Sequence, residues 1–279
     1  MSDLIEKDLA ANGVLTLKMN RPDVLNSLNK PLVDALIAAF TEAGTDDAVR
    51  CIVLTGNGRG FCAGADLANG QWPYEKGWSS GDVTANAMEI GYNPLARALV
   101  DSPKPVVNAI NGVAAGGGVG LALAGDLVIA GESAKFKLVF ARQLGIISDV
   151  GSSWLLPNLL GRARANGLAL LGDDLPAEKA AQWGLIWETV PDDKLLATAQ
   201  DYAARFAESA ITGIKASVRA HDHALTHSFN EQLDYEKNMQ HHYCNQPVFA
   251  EGVKAFIEKR KPDFRTVETE QLRAMRGDK

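Results

Sequence analysis

Residues 111–126 read NGVAAGGGVGLALAGD, with a strand-like run before them (KPVVNAI, 104–110) and another after (DLVIA, 126–130). A glycine-rich turn between a strand and a helix is where nucleotide phosphates bind. Here the Gly-Lys-Ser/Thr of a phosphate loop is absent, and the GxGxxG spacing fails because Gly118 and Gly120 are followed by Leu123. Bare glycines at a helix start have another use. They let a second group approach free N–H donors, where the helix dipole adds positive potential. Close helix packing would use the same glycines, and this stretch alone does not choose between the two.

A second glycine-rich turn tips the balance. GNGRGFCAGADL (56–67) comes straight off VRCIVLTG (49–56), a run continuous enough in apolar residues to be a strand buried on both faces. Two N–H groups from two separate turns make an oxyanion hole, which holds a developing enolate oxygen without a charged side chain. Working outward, VLTLKMN (14–20) alternates like a strand, RPDVLNSLN (21–29) reads as a loop, and KPLVDALIAAFTEA (30–43) has the period of an amphipathic helix with Pro31 near its start. Repeated strand, helix, strand units predict an α/β fold.

From about residue 161 the strands nearly vanish apart from WETVP (187–191), and residues 192–260 predict three or four helices with little sheet to cover. The expected organisation is a core over 1–191 and a helical region over 192–279, the latter suited to packing on a partner subunit. Between Leu67 and Tyr92, the stretch ANGQWPYEKGWSSGDVTANAMEIG fits neither period and is expected to be a lid or binding loop.

A net charge of −6 argues against a nucleic-acid or anionic-membrane surface, both of which concentrate Lys and Arg on one face. The start, MSDLIEKDLA, carries acids where a signal peptide needs a basic and then an apolar region, and no apolar run approaches a membrane span. A cytoplasmic location is expected. Cys51, Cys62 and Cys244 form no CxxC and read as reduced thiols.

RGFCAGADL (59–67), NGVAAGGG (111–118) and LLGRARANGLALLGDDLPAEKAAQWGLI (159–186), in that order, resemble the enoyl-CoA hydratase/isomerase, or crotonase, superfamily over nearly the whole chain. YNPLARAL (92–99), WLLPNLLGRARANGLALLG (154–172) and AAQWGLIWETV (180–190) are more similar to its ring-1,2-epoxyphenylacetyl-CoA isomerases. The resemblance implies a crotonase-like spiral of β-β-α units with a C-terminal helical trimerisation region. It also implies an acyl-CoA thioester substrate, no cofactor beyond that coenzyme A, no metal, and a homotrimer or homohexamer. It makes the N–H groups of Ala65 and Gly117 the oxyanion donors. Ala63, Asp66, Leu67 and Ala68 would line the thioester channel. The resemblance of AFIEKRKPDF (255–264) to the family's final helix would bring Phe256 to the acyl pocket and Lys259 to the CoA phosphates.

The hydratase pattern then fails. Family hydratases use two glutamates to position and deprotonate water; the first aligns to Gly120 and the second to Ala141, and residues 133–148 contain no Asp, Glu or His in any register. What remains is Asp149 in GIISDVGSS (145–153), where the family's isomerases carry their acid. One carboxylate suffices to take a proton from one carbon and return it to another. By residue type alone Asp149 could instead cap the next helix. Asp126 reads as structural.

Other candidates fare worse. The same position is the nucleophile of the family's dehalogenases, but those need a histidine before the triple glycine and all five here lie at or after 221. Cys62 has no His near it in sequence. Ser152 and Ser153 lack a GxSxG elbow, and His223 and His227 lack an HExxH or CxxC partner. An acyl-CoA-binding scaffold without turnover stays open as a non-enzyme alternative. The acyl group is the least decided point: Trp72, Tyr74, Trp78 and Tyr92 either wall a ring or pack their loop onto the core, and a linear 3-enoyl chain would use the same base.

Overall fold

The computed structural model describes residues 3–276, so the outermost ends of the two expected regions lie outside the described residues. The chain begins with a hairpin, β1 (Ile5–Leu9) and β2 (Val14–Met19), followed by helix α1 (Lys30–Thr45). The Asn29 side chain caps α1 by accepting the Leu32 N–H at 3.1 Å. Then come β3 (Cys51–Gly56), β4 (Gly60–Cys62), α2 (Ser80–Ala87), α3 (Asn93–Val100), β5 (Val106–Ile110), β6 (Val113–Ala115), α4 (Gly117–Leu123), β7 (Leu127–Gly131) and β8 (Lys135–Lys137). Helix α5 (Ser152–Leu171), β9 (Leu175–Pro176), α6 (Ala177–Gln182) and β10 (Glu188–Val190) complete the sheets. The helices α7 (Leu195–Ala207), α8 (Ile211–Ala224), α9 (Phe229–Cys244), α10 (Pro247–Glu258) and α11 (Phe264–Arg276) follow. No helix among the described residues is long and apolar enough to cross a membrane.

The strands divide between two sheets, ordered β1-β2-β3-β5-β7-β10 and β4-β6-β8-β9. Each of β3, β5 and β7 enters the first sheet, and its successor β4, β6 or β8 enters the second, which is the spiral of β-β-α turns. The continuous apolar reading of CIVLTG has a direct cause. Cys51 and Val53 face a layer that includes Ala199, Ala203 and Ala207 of α7, whereas Ile52 and Leu54 face the main core with Leu36, Phe40 and Leu95. Alternation places successive side chains on opposite faces, and here both faces are covered.

Two expectations are corrected here. Helix α7, expected among helices with little sheet to cover, lies on β2, β3, β5 and β7, and only the helices after it leave the sheet. The stretch expected to be irregular up to Tyr92 is helical from Ser80: a capping box between Ser79 and Asp82 starts α2, and a wide π turn over Met88–Tyr92 carries it into α3. The wide turn shifts the 3.6-residue period midway, which hides the helix from a periodicity reading.

The C-terminal helix is fastened by a buried charge. Glu268 is fully buried and pairs with Arg50 at 2.7 Å. It also accepts the N–H groups of Ile211 (3.2 Å) and Thr212 (2.9 Å). It thereby caps the N-terminus of α8 from another element, where Ala210 offers no capping side chain. Arg50, at the entrance to β3, also donates to the carbonyls of Ala207 and Ser209. Removing one partner strands the other charge in the interior, so Glu268→Ala is expected to lose about 3–5 kcal/mol in urea unfolding. A loss under about 1 kcal/mol would mean that α11 docks without this latch.

Candidate functional site

Three segments converge on the start of α4, and glycine is what lets them. A Cβ built on Gly118 would lie 2.1 Å from the carbonyl oxygen of Cys62 in β4, and one on Gly120 would lie 2.1 Å from that of Val150. Gly118 cannot hold a side chain while β4 stays where it is, and Gly120 cannot while the turn at 149–150 does. Gly117 lies against the same turn: its Cβ would stand 3.0 Å from Asp149 Oδ1. The glutamate position that the family resemblance assigns to residue 120 is therefore occupied by the backbone of the Asp149 turn. Ala141, at the other glutamate position, lies exposed in a π turn over Phe140–Leu144.

The two donor turns meet at Gly64, whose φ of +88° suits glycine and whose Cβ would lie 3.2 Å from the Gly117 nitrogen. Leu28 pairs with the turn on the far side, donating to the Gly64 carbonyl at 2.7 Å and accepting the Asp66 N–H at 3.0 Å. In such a bridge the flanked residue points its own N–H the other way. The Ala65 N–H consequently faces away from Leu28, and it and the Gly117 N–H have no acceptor among the described residues. Two free donors stand on adjacent turns, the second at the N-terminus of α4.

Asp149 is held between these donors and α5. Its carbonyl accepts the Ser152 N–H at 2.9 Å, but Oδ1 is buried with no hydrogen-bond partner, and α5 begins at Gly151 without a side-chain cap. The helix-cap alternative is excluded. Val150 and Gly151 follow with φ of +48° and +77°, two consecutive left-handed residues that swing the carboxyl toward Gly117. Burial pushes the Asp149 carboxyl up to about 6, against a lowering contact with its own backbone.

The rival groups are accounted for. Burial pushes the Cys62 thiol up to about 12, with the Gly64 N–H opposing and Asp149 reinforcing, so it stays protonated. Asp126 pairs with Lys215 at 2.7 Å and accepts the Val106 N–H at 2.8 Å, a structural tie between β5 and α8. His223 stacks on His227 at 3.6 Å and on Tyr235 at 4.1 Å, pinning α8 to α9. No group of three or more His, Cys, Asp or Glu among the described residues could hold a metal.

Of the residues singled out by sequence, the structure brings the turn carrying Ala63, Ala65, Asp66, Leu67 and Ala68 to Gly117 at Gly64, and Gly117 to Asp149. It does not bring Phe256 and Lys259 to Asp149 within the chain. Both lie exposed at the end of α10, which packs on α9 and on α11, and α11 is latched at the entrance to β3 while the donor turns emerge beyond its exit. Sequence reasoning missed the pairing of Leu28 with the donor turn. It also left Trp72 and Tyr92 undecided. These two pack edge to face at 4.8 Å with Trp72 Nε1 donating to the Tyr92 hydroxyl, which donates to the Leu28 carbonyl, so they fasten their segment to the core. Tyr74 stays exposed.

Sequence comparison agrees with this geometry: the enoyl-CoA hydratase/isomerase family profile matches residues 10–267. The chain belongs to that family. It is 45% identical over 258 residues to the 1,2-epoxyphenylacetyl-CoA isomerase of Escherichia coli K12, covering 90% of this chain and 95% of the relative. It is 31% identical over 255 residues to a trans-2-decenoyl-[acyl-carrier-protein] isomerase of Streptococcus mutans, covering 91% and 95%. Its fold superposes on the crystal structure of an enoyl-CoA hydratase from Bacillus anthracis with a TM-score of 0.85 at 31% identity, covering 94% of this chain and 99% of that one. The architecture is that of the crotonase superfamily.

A carboxyl whose value rises from about 3.9 unfolded to about 6 folded binds more protons in the folded state between those values, so it costs stability as pH rises through them. Asp149→Asn is expected to stabilise the protein by on the order of 2 kcal/mol at pH 7.5 and by about half as much at pH 5. Equal unfolding midpoints at both pH values would contradict the burial of Oδ1.

Proposed function

We propose that this enzyme of the enoyl-CoA hydratase/isomerase family is an acyl-CoA isomerase, in which Asp149 moves a proton between two carbons of a thioester held by the Ala65 and Gly117 N–H groups. The observation that carries this reading is the unpartnered Asp149 Oδ1 beside Gly117, with no room for a side chain at residue 120. A thioester carbonyl that accepts both N–H groups acidifies its α carbon, because those donors bind the enolate oxygen more strongly than the neutral carbonyl. Asp149 takes the α proton, the charge rests on the oxygen, and the same carboxyl returns the proton further along the conjugated system. Product and substrate contain the same atoms. Hydration would need a second group to orient water, and the two family glutamate positions hold Gly120 and Ala141. Turnover needs no cofactor beyond the coenzyme A on the substrate, and the protein works in the cytoplasm.

The substrate we favour is 1,2-epoxyphenylacetyl-CoA, rearranged to the seven-membered oxepin, on the strength of the 45% identical relative of that name. The proposed assembly is a homotrimer or a homohexamer built as a dimer of trimers. Phe256 and Ile257 expose an apolar tip on α10 at 85% and 73%, while Leu67 and Ile147 expose the rim of the site at 80% and 85%. Patches on different faces of one chain meet head to tail in a closed ring, where a neighbour's α10 would bring Phe256 to the acyl pocket and Lys259 to the CoA phosphates.

Asp149→Asn is expected to lower kcat by about 10²-fold or more while acyl-CoA affinity stays within a few-fold, and kcat/KM of the native enzyme should rise through an apparent pKa near 6 and then level off. Activity within a few-fold of the native enzyme would remove Asp149 from the mechanism. The acyl group is settled by comparing kcat/KM for 1,2-epoxyphenylacetyl-CoA and 3-hexenoyl-CoA on one preparation. The ring substrate is expected to win, and a roughly tenfold preference for the linear chain, about 1.4 kcal/mol, would make the protein a Δ3,Δ2-enoyl-CoA isomerase instead.

A further inference from the structure

We propose that the Arg21–Asp66 ion pair is a positioning device that aims the Ala65 N–H and shields the oxyanion from the Asp66 charge. This rests on the reading of Ala65 as an oxyanion donor. The pair lies beside the donor turn: Arg21 Nη2 stands 2.9 Å from Asp66 Oδ2, with side chains 14% and 8% exposed. The other Asp66 oxygen accepts the Asn69 N–H at 2.8 Å, closing the turn that carries Leu67 and Ala68. Arg21 Nη1 reaches the Ser27 carbonyl at 2.5 Å. One guanidinium thus joins the strand-like segment holding Leu28 to the residue directly after Ala65.

That link bears on the donor's direction. The Ala65 N–H points into the site only while Leu28 bonds both neighbours of Ala65. Residues 25–28 have no helix or sheet of their own to hold them in place. Leu25 and Asn26 take left-handed φ values of 51° and 54°. Fully buried Asn26 compensates by donating to the carbonyls of Asn57 and Gly60 and accepting the Arg21 N–H at 2.8 Å. Arg21 therefore braces both sides of the Leu28 bridge, from its backbone and from its guanidinium.

Charge supplies the second half. Burial pushes the Asp66 carboxyl upward, but the Arg21 hydrogen bond and charge, with the Asn69 and Ala68 N–H groups, hold it below the usual carboxylate range. Asp66 is thus an anion one residue from a donor that must bind a developing negative charge. Unpaired, it would oppose the enolate; paired, its field is largely cancelled where the thioester oxygen sits. A lysine would supply the charge but not the fork that reaches Ser27 and Asp66 together.

The test separates aiming from folding by reading the carbonyl itself. Hexanoyl-CoA, ¹³C-labelled at the thioester carbonyl, is bound to saturation and its C=O stretch recorded by infrared difference spectroscopy. The probe is a saturated thioester, so its response does not depend on which acyl group is isomerised. The native enzyme should lower the stretch, and Asp149→Asn should lower it equally despite its loss of turnover. Arg21→Met should lose at least about half of that shift and at least about tenfold in kcat, with KM within about threefold. Arg21→Lys should recover part of both, and Asp66→Asn, which keeps the shape and removes the charge, should retain more of the shift than Arg21→Met. Should Arg21→Met fail to fold, Arg21→Lys takes its place, with a shift and kcat expected below the native values, and native values for both in folded Arg21→Lys would overturn the proposal. A full shift and native kcat in folded Arg21→Met, or in Asp66→Asn combined with Arg21→Met, would overturn the proposal. No shift in the native enzyme would overturn it by a different route, by removing Ala65 and Gly117 as oxyanion donors.

Discussion

Three backbones can share one small volume only where side chains are missing, and the approach of the Asp149–Val150 turn to Gly117 and Gly120 is the contact on which the rest of the site depends. Cβ positions at Gly118 and Gly120 fall 2.1 Å from carbonyl oxygens of Cys62 and Val150, closer than any carbon can stand. On one side the bare helix start lets β4 and its donor turn come up to α4; on the other it lets the Asp149 carboxyl come up to Gly117. The same glycines that bring the two turns together therefore bring the proposed base to them, and they leave no space at residue 120 for a glutamate.

This closeness has an electrostatic consequence. Asp149 Oδ1 is buried without a partner, a configuration that costs free energy in the folded state and lifts the carboxyl toward the working pH of a general base. Elsewhere in the interior buried charges are partnered, as in Arg50–Glu268 and Asp126–Lys215. The free Gly117 N–H is no such anomaly, because an unsatisfied N–H in the first turn is a normal feature of a helix start.

Much of this was legible in the residues. The buried strand at 51–56, the two glycine turns and the lone acid at 149 lie within about two residues of where the motifs put them, because local glycine and turn chemistry is written locally. The short strands β4, β6, β8 and β9 were not read, since two or three residues show no period. Helix α2 and its continuation were hidden by a π turn, and α7 was misjudged because its partners, Val14, Val53 and Val107, are more than eighty residues away. The bracing of Ala65 from Leu28, Arg21 and Asn26 depends on pairing between segments about forty residues apart, which no single stretch reveals. Phe256 and Lys259 were read as part of a final helix, but they lie at the end of α10, the helix before the last one, and the place where α10 lands is set by the Glu268 latch on α11 and by the path of α8 and α9.

The central claim is that one carboxylate in a dry wall carries the proton both ways, and the direct measurement is the fate of that proton. A substrate deuterated at the carbon α to the thioester is converted in ordinary water to low extent, and the product is analysed by mass spectrometry for deuterium at the carbon that receives the proton. Transfer through a single shielded carboxyl predicts that a measurable fraction of product molecules keeps the label, falling as conversion and exchange proceed. Product with no deuterium above the natural level at the earliest times would contradict the account, because the proton would then have come from solvent or from a second acid.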